Sequence, residues 1–247
     1  MLMKQRHQLI LQRLSEQKVV KLKELVDLTD SSESTIRRDL TDLEAEGYLA
    51  RVHGGATLIA TPDEEPTFEE KRDRFVDEKV AIARKAATFI EDGMSIYLDA
   101  GTTTQAMVPF LQGKKIVVVT NSLPIANELF DLDIKTFVIG GELKRSTQAL
   151  VGYNARESMM NYRVDLAFLG MNGIDIEAGY TTPDPEEALV KKTAIELAQT
   201  SFVLADASKI GKRTFSRVAT LDAAQLITSS RESMSSIQTI TKVVNAK

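Results

Sequence analysis

The chain of 247 residues has no cysteine and only two histidines, His7 and His53. The first absence excludes disulfides, a thiolate nucleophile and cysteine-ligated zinc together; the second leaves too few imidazoles for an all-histidine metal centre. Long apolar runs are also missing. A run such as Ile116 to Val119 falls far short of the roughly 18 residues that span a bilayer. The opening Met1-Leu2-Met3-Lys4-Gln5-Arg6 offers neither an apolar block nor a small-residue cleavage site, so the expected location is the cytoplasm. Neither a cofactor nor a membrane partner is expected. Positive charge is in deficit too: 31 Lys and Arg face 35 Asp and Glu, a net charge of −4, which taken alone argues against a polyanionic partner. What remains, 43% hydrophobic and 27% charged residues, is the composition of a globular chain with room for a small domain joined to a larger one.

Charge and periodicity divide the sequence near residue 60. Met3, His7, Ile10 and Leu14 recur at helical spacing and predict a helix from Met3 to Glu16. A second short helix has Leu22, Leu25 and Val26 inward. Asp30-Ser31-Ser32-Glu33 supplies capping side chains for a third, with Ile36, Leu40 and Leu43 on one face and a stop at Gly47. Tyr48–Val52 and Ala56–Ile59 then flank the pair Gly54-Gly55 as strands of a hairpin. Three short helices and a hairpin are the element order of a winged helix-turn-helix, expected over residues 1–60.

With Ile36, Leu40 and Leu43 inward, steps of about 100° per residue turn Ser34, Arg38 and Thr41 outward, with Thr35 and Arg37 on the flanks. Hydroxyls and guanidiniums at the start of a recognition helix are the groups that read base edges in a major groove. Ser32 joins them at the cap, and Arg51 and His53 at the hairpin tip would meet phosphates. The partner expected is double-stranded operator DNA, bound by a homo-oligomer, a dimer or tetramer, because symmetric sites are read by paired domains. Residues 1–60 carry nine cations and nine acids, so affinity must come from placement rather than net charge. Asp39 and Asp42 flank the arginines, able either to orient a guanidinium or to repel a phosphate.

Pro62-Asp63-Glu64-Glu65-Pro66 breaks regular structure, and residues 61–72 are expected to be a linker, followed by a sensor domain over 73–247. A helix is predicted from about Thr67 to Ile90, with Val80, Ala83, Ala87 and Ile90 inward. Short apolar runs predict strands at Ser95–Leu98, Ile116–Thr120, Thr136–Ile139, Leu166–Leu169, Phe202–Ala205 and Gln225–Ile227. Helices are predicted at Gln105–Leu111, Pro124–Phe130, Ala155–Asn161, Pro185–Ala198 and Ser235–Val243. Such alternation means an α/β domain with a mainly parallel sheet covered on both faces, and its ligands bind beyond the carboxyl ends of the strands.

The loops at those ends are polar. Asp99-Ala100-Gly101-Thr102-Thr103-Thr104 opens a helix, where amides and hydroxyls converge as an anion cradle. It is neither a dinucleotide G-x-G-x-x-G nor a Walker loop. Thr120-Asn121-Ser122, Gly140-Gly141-Glu142, Gly170-Met171-Asn172-Gly173 and Asp206 to Lys212 add further hydroxyls, amides and ammonium groups. A small polyhydroxylated phosphate suits all of them, with Ser122, Asn172 and Gly173 among its expected contacts. Lys191 and Lys192 follow Glu186-Glu187, and either lysine faces the site or pairs along the helix surface.

These residues resemble a known family. Ser34-Thr-Ile-Arg-Arg-Asp-Leu40, Leu43-Glu44, Gly47 and Arg51-Val-His-Gly-Gly-Ala56 are similar to the DNA-binding signature of the DeoR family of bacterial transcriptional regulators. The likeness continues through Asp99–Thr104, Val119-Thr-Asn-Ser122, Ile139-Gly-Gly141, Asp165–Gly170 and Leu204-Ala-Asp-Ala-Ser-Lys209. One departure is Asp30-Ser31-Ser32, where the family often has a hydrophobic residue and Val-Ser. The resemblance implies a repressor of a sugar-utilisation operon, a sensor domain similar to ribose-5-phosphate isomerase, and a phosphorylated sugar as effector. It places Asp99, Gly101, Thr102, Thr103, Thr104, Asn121, Gly141, Lys191 and Lys209 around that effector. Fructose 1-phosphate, tagatose phosphates and glycerol phosphate are all compatible. The related isomerases carry a D-G-A-D-E type segment; here the corresponding loop is Gly170-Met-Asn-Gly-Ile174, with glycine at both aspartate positions. Binding without conversion is therefore expected. Asp99, Asp175 and Glu187 remain as stand-in acids, which keeps an isomerase with an appended DNA-binding domain as the alternative.

Overall fold

The computed structural model describes residues 3–17, 19–45, 49–52, 54–58, 67–230 and 234–246. His53, Gly47 and the Pro62–Pro66 segment lie outside the described residues. The chain forms two compact units, Met1–Glu64 and Glu65–Lys247.

The first unit comprises α1 (Met3–Gln17), β1 (Val19–Lys21), α2 (Leu22–Thr29), α3 (Glu33–Ala45), β2 (Leu49–Val52) and β3 (Gly55–Leu58). Ile10, Leu14, Leu25, Ile36, Leu40 and Leu43 close its core. Met3, at the start of the apolar stripe of α1, is instead 55% exposed. Asp30 ends α2 in left-handed conformation (φ 48°), its N–H donating to Val26 O, whereas Ser32 caps α3 by accepting the Thr35 N–H at 3.3 Å. The unexpected strand β1 pairs with β3, which also pairs with β2, giving a three-stranded antiparallel sheet. Gly55 makes this possible: a Cβ there would lie 2.1 Å from Val20 O.

The second unit begins with α4 (Phe68–Arg72) and α5 (Val76–Ala87), followed by β4 (Ser95–Leu98), α6 (Thr102–Gln105), β5 (Val117–Thr120), α7 (Leu123–Asp131) and β6 (Lys135–Val138). Next come β7 (Glu142–Lys144), β8 (Ala149–Val151), α8 (Tyr153–Met159), β9 (Val164–Gly170), β10 (Gly173–Asp175), β11 (Gly179–Thr182) and α9 (Pro185–Leu197). The chain closes with β12 (Ala198–Ala205), β13 (Ser216–Ala219), β14 (Gln225–Thr228), α10 (Ser235–Gln238) and β15 (Val243–Asn245). Seven strands form one parallel sheet in the order β15-β14-β12-β9-β4-β5-β6. Alternate side chains face opposite layers, as the pleat requires. Ile96, Leu98, Phe168 and Leu204 pack beneath α5 and α7 with Ile82, Ala83, Ile125 and Leu129. Tyr97, Leu169, Val203 and Leu226 face α8 and α9 with Ala155, Val190 and Ala194.

Two expectations are corrected. The helix expected from Thr67 to Ile90 is broken: Thr67 opens α4 through a capping box with Glu70, and Phe75 turns left-handed (φ 55°) to start α5. Its buried stripe is Lys79, Ile82, Ala83 and Ala86, and Val80 is exposed. Phe68 is buried, and its N–H donates to Ser146 O at 2.8 Å, so α4 packs within the second unit although residues 67–72 had the look of a connector. The helix expected at Ser235–Val243 stops at Gln238, and Val243 begins the edge strand β15 instead, pairing with Leu226 of β14.

Candidate functional site

A cavity of about 340 Å³ opens at the carboxyl ends of β4, β9 and β12, between the α4–α5 segment and α9. That size suits a small ligand. Strands β4 and β9 are direct neighbours, so the loops after them, Ala100–Thr103 and Gly170–Asn172, meet at the cavity wall.

Beneath this wall lies an ion pair. Asp99 is 1% exposed and Lys191 4%; the Lys191 ammonium contacts Asp99 Oδ2 and donates to Gly170 O at 3.0 Å. The Gly170 N–H donates to the same carboxylate oxygen at 3.1 Å. Burial pushes the Asp99 carboxyl up from its usual range, while Lys191 and the Gly170 N–H pull it back. Asp99 Oδ1 and the buried Tyr97 hydroxyl have no hydrogen-bond partner among the described residues. Lys192, by contrast, is exposed.

Glu187 lines the opposite part of the wall, held on several sides. Its Oε1 accepts from Thr147 Oγ1 at 2.9 Å and Lys144 Nζ at 3.0 Å, and its Oε2 from Thr182 Oγ1 at 3.3 Å. The Thr182 hydroxyl also donates toward Asn172 Oδ1 at 3.1 Å. Asp184 caps α9 through the N–H groups of Glu186 and Glu187 and binds Lys144 at 2.7 Å.

The structure gathers Gly101, Thr102, Thr103, Asn172, Glu187, Lys191 and Lys209 on the cavity, with Asp99 directly behind. Five other expected contacts do not line it, each for a physical reason. The Thr104 hydroxyl is spent on Asp99 O and Gly101 O. Asn121 accepts from the Ala100 N–H at 2.8 Å and donates to Leu150 O at 3.2 Å, so it positions the loop after β4. Ser122 caps α7. Gly141 (φ 138°) and Gly173 are packing glycines: a Cβ would come 2.7 Å from Ala155 and 2.5 Å from Lys212 O, respectively. Asp175, one of the stand-in acids, also lies off the cavity, its Oδ1 taken by Arg213 at 2.9 Å and by the N–H groups of Glu177 and Ala178.

The sequence reading missed Phe68, Lys71, Arg74, Phe75 and Lys79, which the α4–α5 break brings to the cavity, together with Thr147; Asp206 and Lys212, from the strand-end loop that the sequence singled out, line it as well. Among the described residues, six cations and two carboxylates therefore line it. The Lys79 ammonium donates to Lys71 O. Burial lowers its pKa to about 8; Lys209 and Lys71 add to the effect and Asp206 opposes it.

In the first unit Ser32, Ser34, Arg37, Arg38, Thr41 and Arg51 are exposed, and Thr35 is half-buried. Ser32 Oγ lies 2.9 Å from Ser34 Oγ and 2.8 Å from Thr35 Oγ1. Glu33 holds Arg37 at 2.6 Å, and Arg51 donates to Thr41 Oγ1 at 2.9 Å. Asp39 points inward, binding Arg6 at 2.7 and 3.0 Å and His7 at 3.3 Å. It thus ties α1 to α3 and leaves the outer face to the arginines. His7, Asp39 and Asp42 are close enough together to ligate an ion, but Arg6 already neutralises the buried carboxylate.

Comparison with known families accounts for both units. A family model described as the DeoR-like helix-turn-helix domain matches residues 6–61, and one described as the DeoR C terminal sensor domain matches residues 74–231. The chain belongs to the DeoR family. An HTH-type transcriptional regulator of Bacillus subtilis (strain 168), called FruR and described as uncharacterized, is 45% identical over 99% of both chains. A lactose phosphotransferase system repressor of Staphylococcus epidermidis is 35% identical over 80% of each. Among solved structures, ribose 5-phosphate isomerase A from Methanocaldococcus jannaschii covers 56% of either chain at 19% identity, with a TM-score of 0.43. No helix among the described residues of this DeoR-family chain is long and apolar enough to cross a membrane.

Proposed function

We propose that this protein is a cytoplasmic, homo-oligomeric repressor of a sugar-utilisation operon, binding operator DNA through α3 under the control of a phosphorylated sugar held in the second unit. The observation that carries the reading is the cavity itself. Six cations against two carboxylates among the described residues call for an anionic ligand, and Thr102, Thr103, Asn172 and Glu187 beside them offer the mixed donors and acceptors that hydroxyls require. The outward face of α3, with Ser34, Arg37, Arg38 and Thr41, supports direct contact with base edges and phosphates. The names of relatives as transcriptional regulators and repressors support the same role.

Binding without turnover fits the acids. General acid-base isomerisation needs a carboxylate free to exchange a proton with a sugar carbon or hydroxyl. Asp99 is sealed behind Lys191, and Glu187 is engaged by Lys144, Thr147 and Thr182. The test is a melting-temperature panel of sugar phosphates that includes fructose 1-phosphate, tagatose phosphates and glycerol phosphate, each beside its unphosphorylated parent. A shift of several degrees is expected for one phosphorylated member alone, since a ligand present at about 100 times its Kd stabilises by roughly 2.7 kcal/mol. Equal shifts with the parent sugar, or measurable isomerisation of any member, would overturn the proposal.

A further inference from the structure

The sequence places Val80 in the core, but α5 keeps it outside. This helix buries Lys79, Ile82, Ala83 and Ala86, and its other side presents Val76, Asp77, Val80 and Arg84 to solvent, with Val76 50% and Val80 36% exposed. An open groove of about 440 Å³ runs along that side, its lining made by Asp77, Val80, Ala81, Arg84 and Thr88 together with Ala246, just past β15. Valines set along a concave, charged-rimmed helix face suit a surface that another surface covers.

The charges on this face are self-complementary. Asp77 and Arg84 are seven residues apart, so they lie within about 20° of each other around the helix and roughly 10 Å apart along it, with Val80 and Ala81 midway between. Neither has an ion-pair partner among the described residues. The Arg84 guanidinium rests over the Phe110 ring, 5.4 Å from its centre, which leaves its N–H groups for another acceptor. An antiparallel copy of the same helix, related by a two-fold axis beside Val80 and Ala81, sets each Asp77 opposite the other copy's Arg84. A parallel copy sets like against like. The signs also suit the helix dipole, acid in the first turn and base in the last, and opposed helices bring those ends together. The small side chain of Ala81 lets two helices close to the 8–10 Å typical of packed pairs.

We propose that the outer face of α5 is a two-fold contact between two copies of this chain, in which Asp77 of each pairs with Arg84 of the other across a centre of Val80 and Ala81. The inference rests on the homo-oligomeric part of the proposed function and deepens it by naming the surface. A self-complementary patch is what a symmetric pair requires, since both copies contribute the same residues. One helix stripe lies at the small end of specific interfaces, below about 1,200 Å² in total, where association is weak. Two chains already held on one operator would form it as an intramolecular contact, at high effective concentration. The buried side of α5 bears Lys79, which lines the cavity, so one helix carries the ligand site on one side and the partner on the other.

The chain has no cysteine, so a single introduced thiol in the full-length protein reports the contact. In this pairing Val80 lies beside its own copy, and mild oxidation of Val80→Cys should give a disulfide-linked dimer, because a bridge forms only where Cα atoms approach within about 7 Å. Thr88→Cys sits on the same face but roughly 20 Å from its own copy, and should stay unlinked. Sedimentation supplies the second measurement. The parent's mass should rise with concentration through the micromolar range. Asp77→Arg or Arg84→Asp alone sets like charges opposite each other and should weaken association about tenfold or more. The double variant Asp77→Arg, Arg84→Asp should restore it, a recovery that misfolding cannot produce. Equal cross-linking at positions 80 and 88, with single reversals that associate like the parent, overturns the α5 contact and leaves oligomerisation to another surface. A parent that stays monomeric removes the contact and the homo-oligomeric reading together.

Discussion

Arg38 and Asp39 are adjacent in sequence and opposite in fate. Arg38 stays exposed on the outer face of α3, while Asp39 turns inward to Arg6 and His7; one helical step of about 100° separates the proposed DNA contact from a structural brace. Arg38→Ala should therefore weaken specific operator binding by about 1–3 kcal/mol without lowering the melting temperature, as a mobility-shift titration beside a thermal melt would show. Lys79 offers a different measurement. Its amine sits at about 8 instead of 10.5, chiefly because it is buried, so it is ammonium below that pH and neutral above it. Phosphate esters are dianionic above roughly pH 6. Ligand affinity should thus be level between about 6.5 and 7.5, then fall through pH 8, with proton uptake on binding near pH 8.5. The unliganded fold moves the other way: between 8 and 10.5 the unfolded chain binds the extra proton, so its stability rises with pH. Calorimetry in two buffers of different ionisation heat checks the uptake, and a flat affinity from pH 7 to 10 would remove Lys79 from the site.

At the scale of elements, much was legible because pattern and structure agreed. The stripe Ile36, Leu40, Leu43 fixed the buried face of α3, and the apolar run Ser95–Leu98 coincides with β4. The α4–α5 break was not legible: Asp73-Arg74-Phe75 contains neither proline nor glycine, and only tertiary packing imposes the left-handed Phe75. For the same reason the sequence reading gave Lys71, Arg74 and Lys79 no role. The strands β10, β11 and β13 are three or four residues long, too short for a period-two signal to emerge from loop composition. Gly55 carries the prediction proper to this scale. Gly55→Ala would press a methyl against Val20 O, 2.1 Å from its ideal place, so the β1–β3 pairing must shift at a cost of about 1–3 kcal/mol. Denaturant melts of the first unit should show that loss, with effector binding by the second unit preserved.

For the whole molecule, net charge of −4 suggested at first that no polyanion would bind. The resolution is spatial: cations concentrate on one face of α3 and around one cavity, and acids elsewhere outnumber them. With so little surplus charge, affinity for random duplex should be weak; sub-micromolar binding to non-operator DNA at physiological salt would contradict the placement argument. The sheet order has a consequence in time as well. Strand β4 lies inside the sheet with β5 on one side and β9 on the other, and its partner Leu166 is 70 residues downstream of Ile96. As the polypeptide leaves the ribosome, one edge of β4 must wait for β9, and the cavity must wait further for Lys209 and Lys212. Such late, non-local parallel pairing slows folding and leaves half-made sheets prone to aggregation. The ligand pocket is thus among the last features to be completed during synthesis, and an effector present in the cell would selectively stabilise chains that have reached that point.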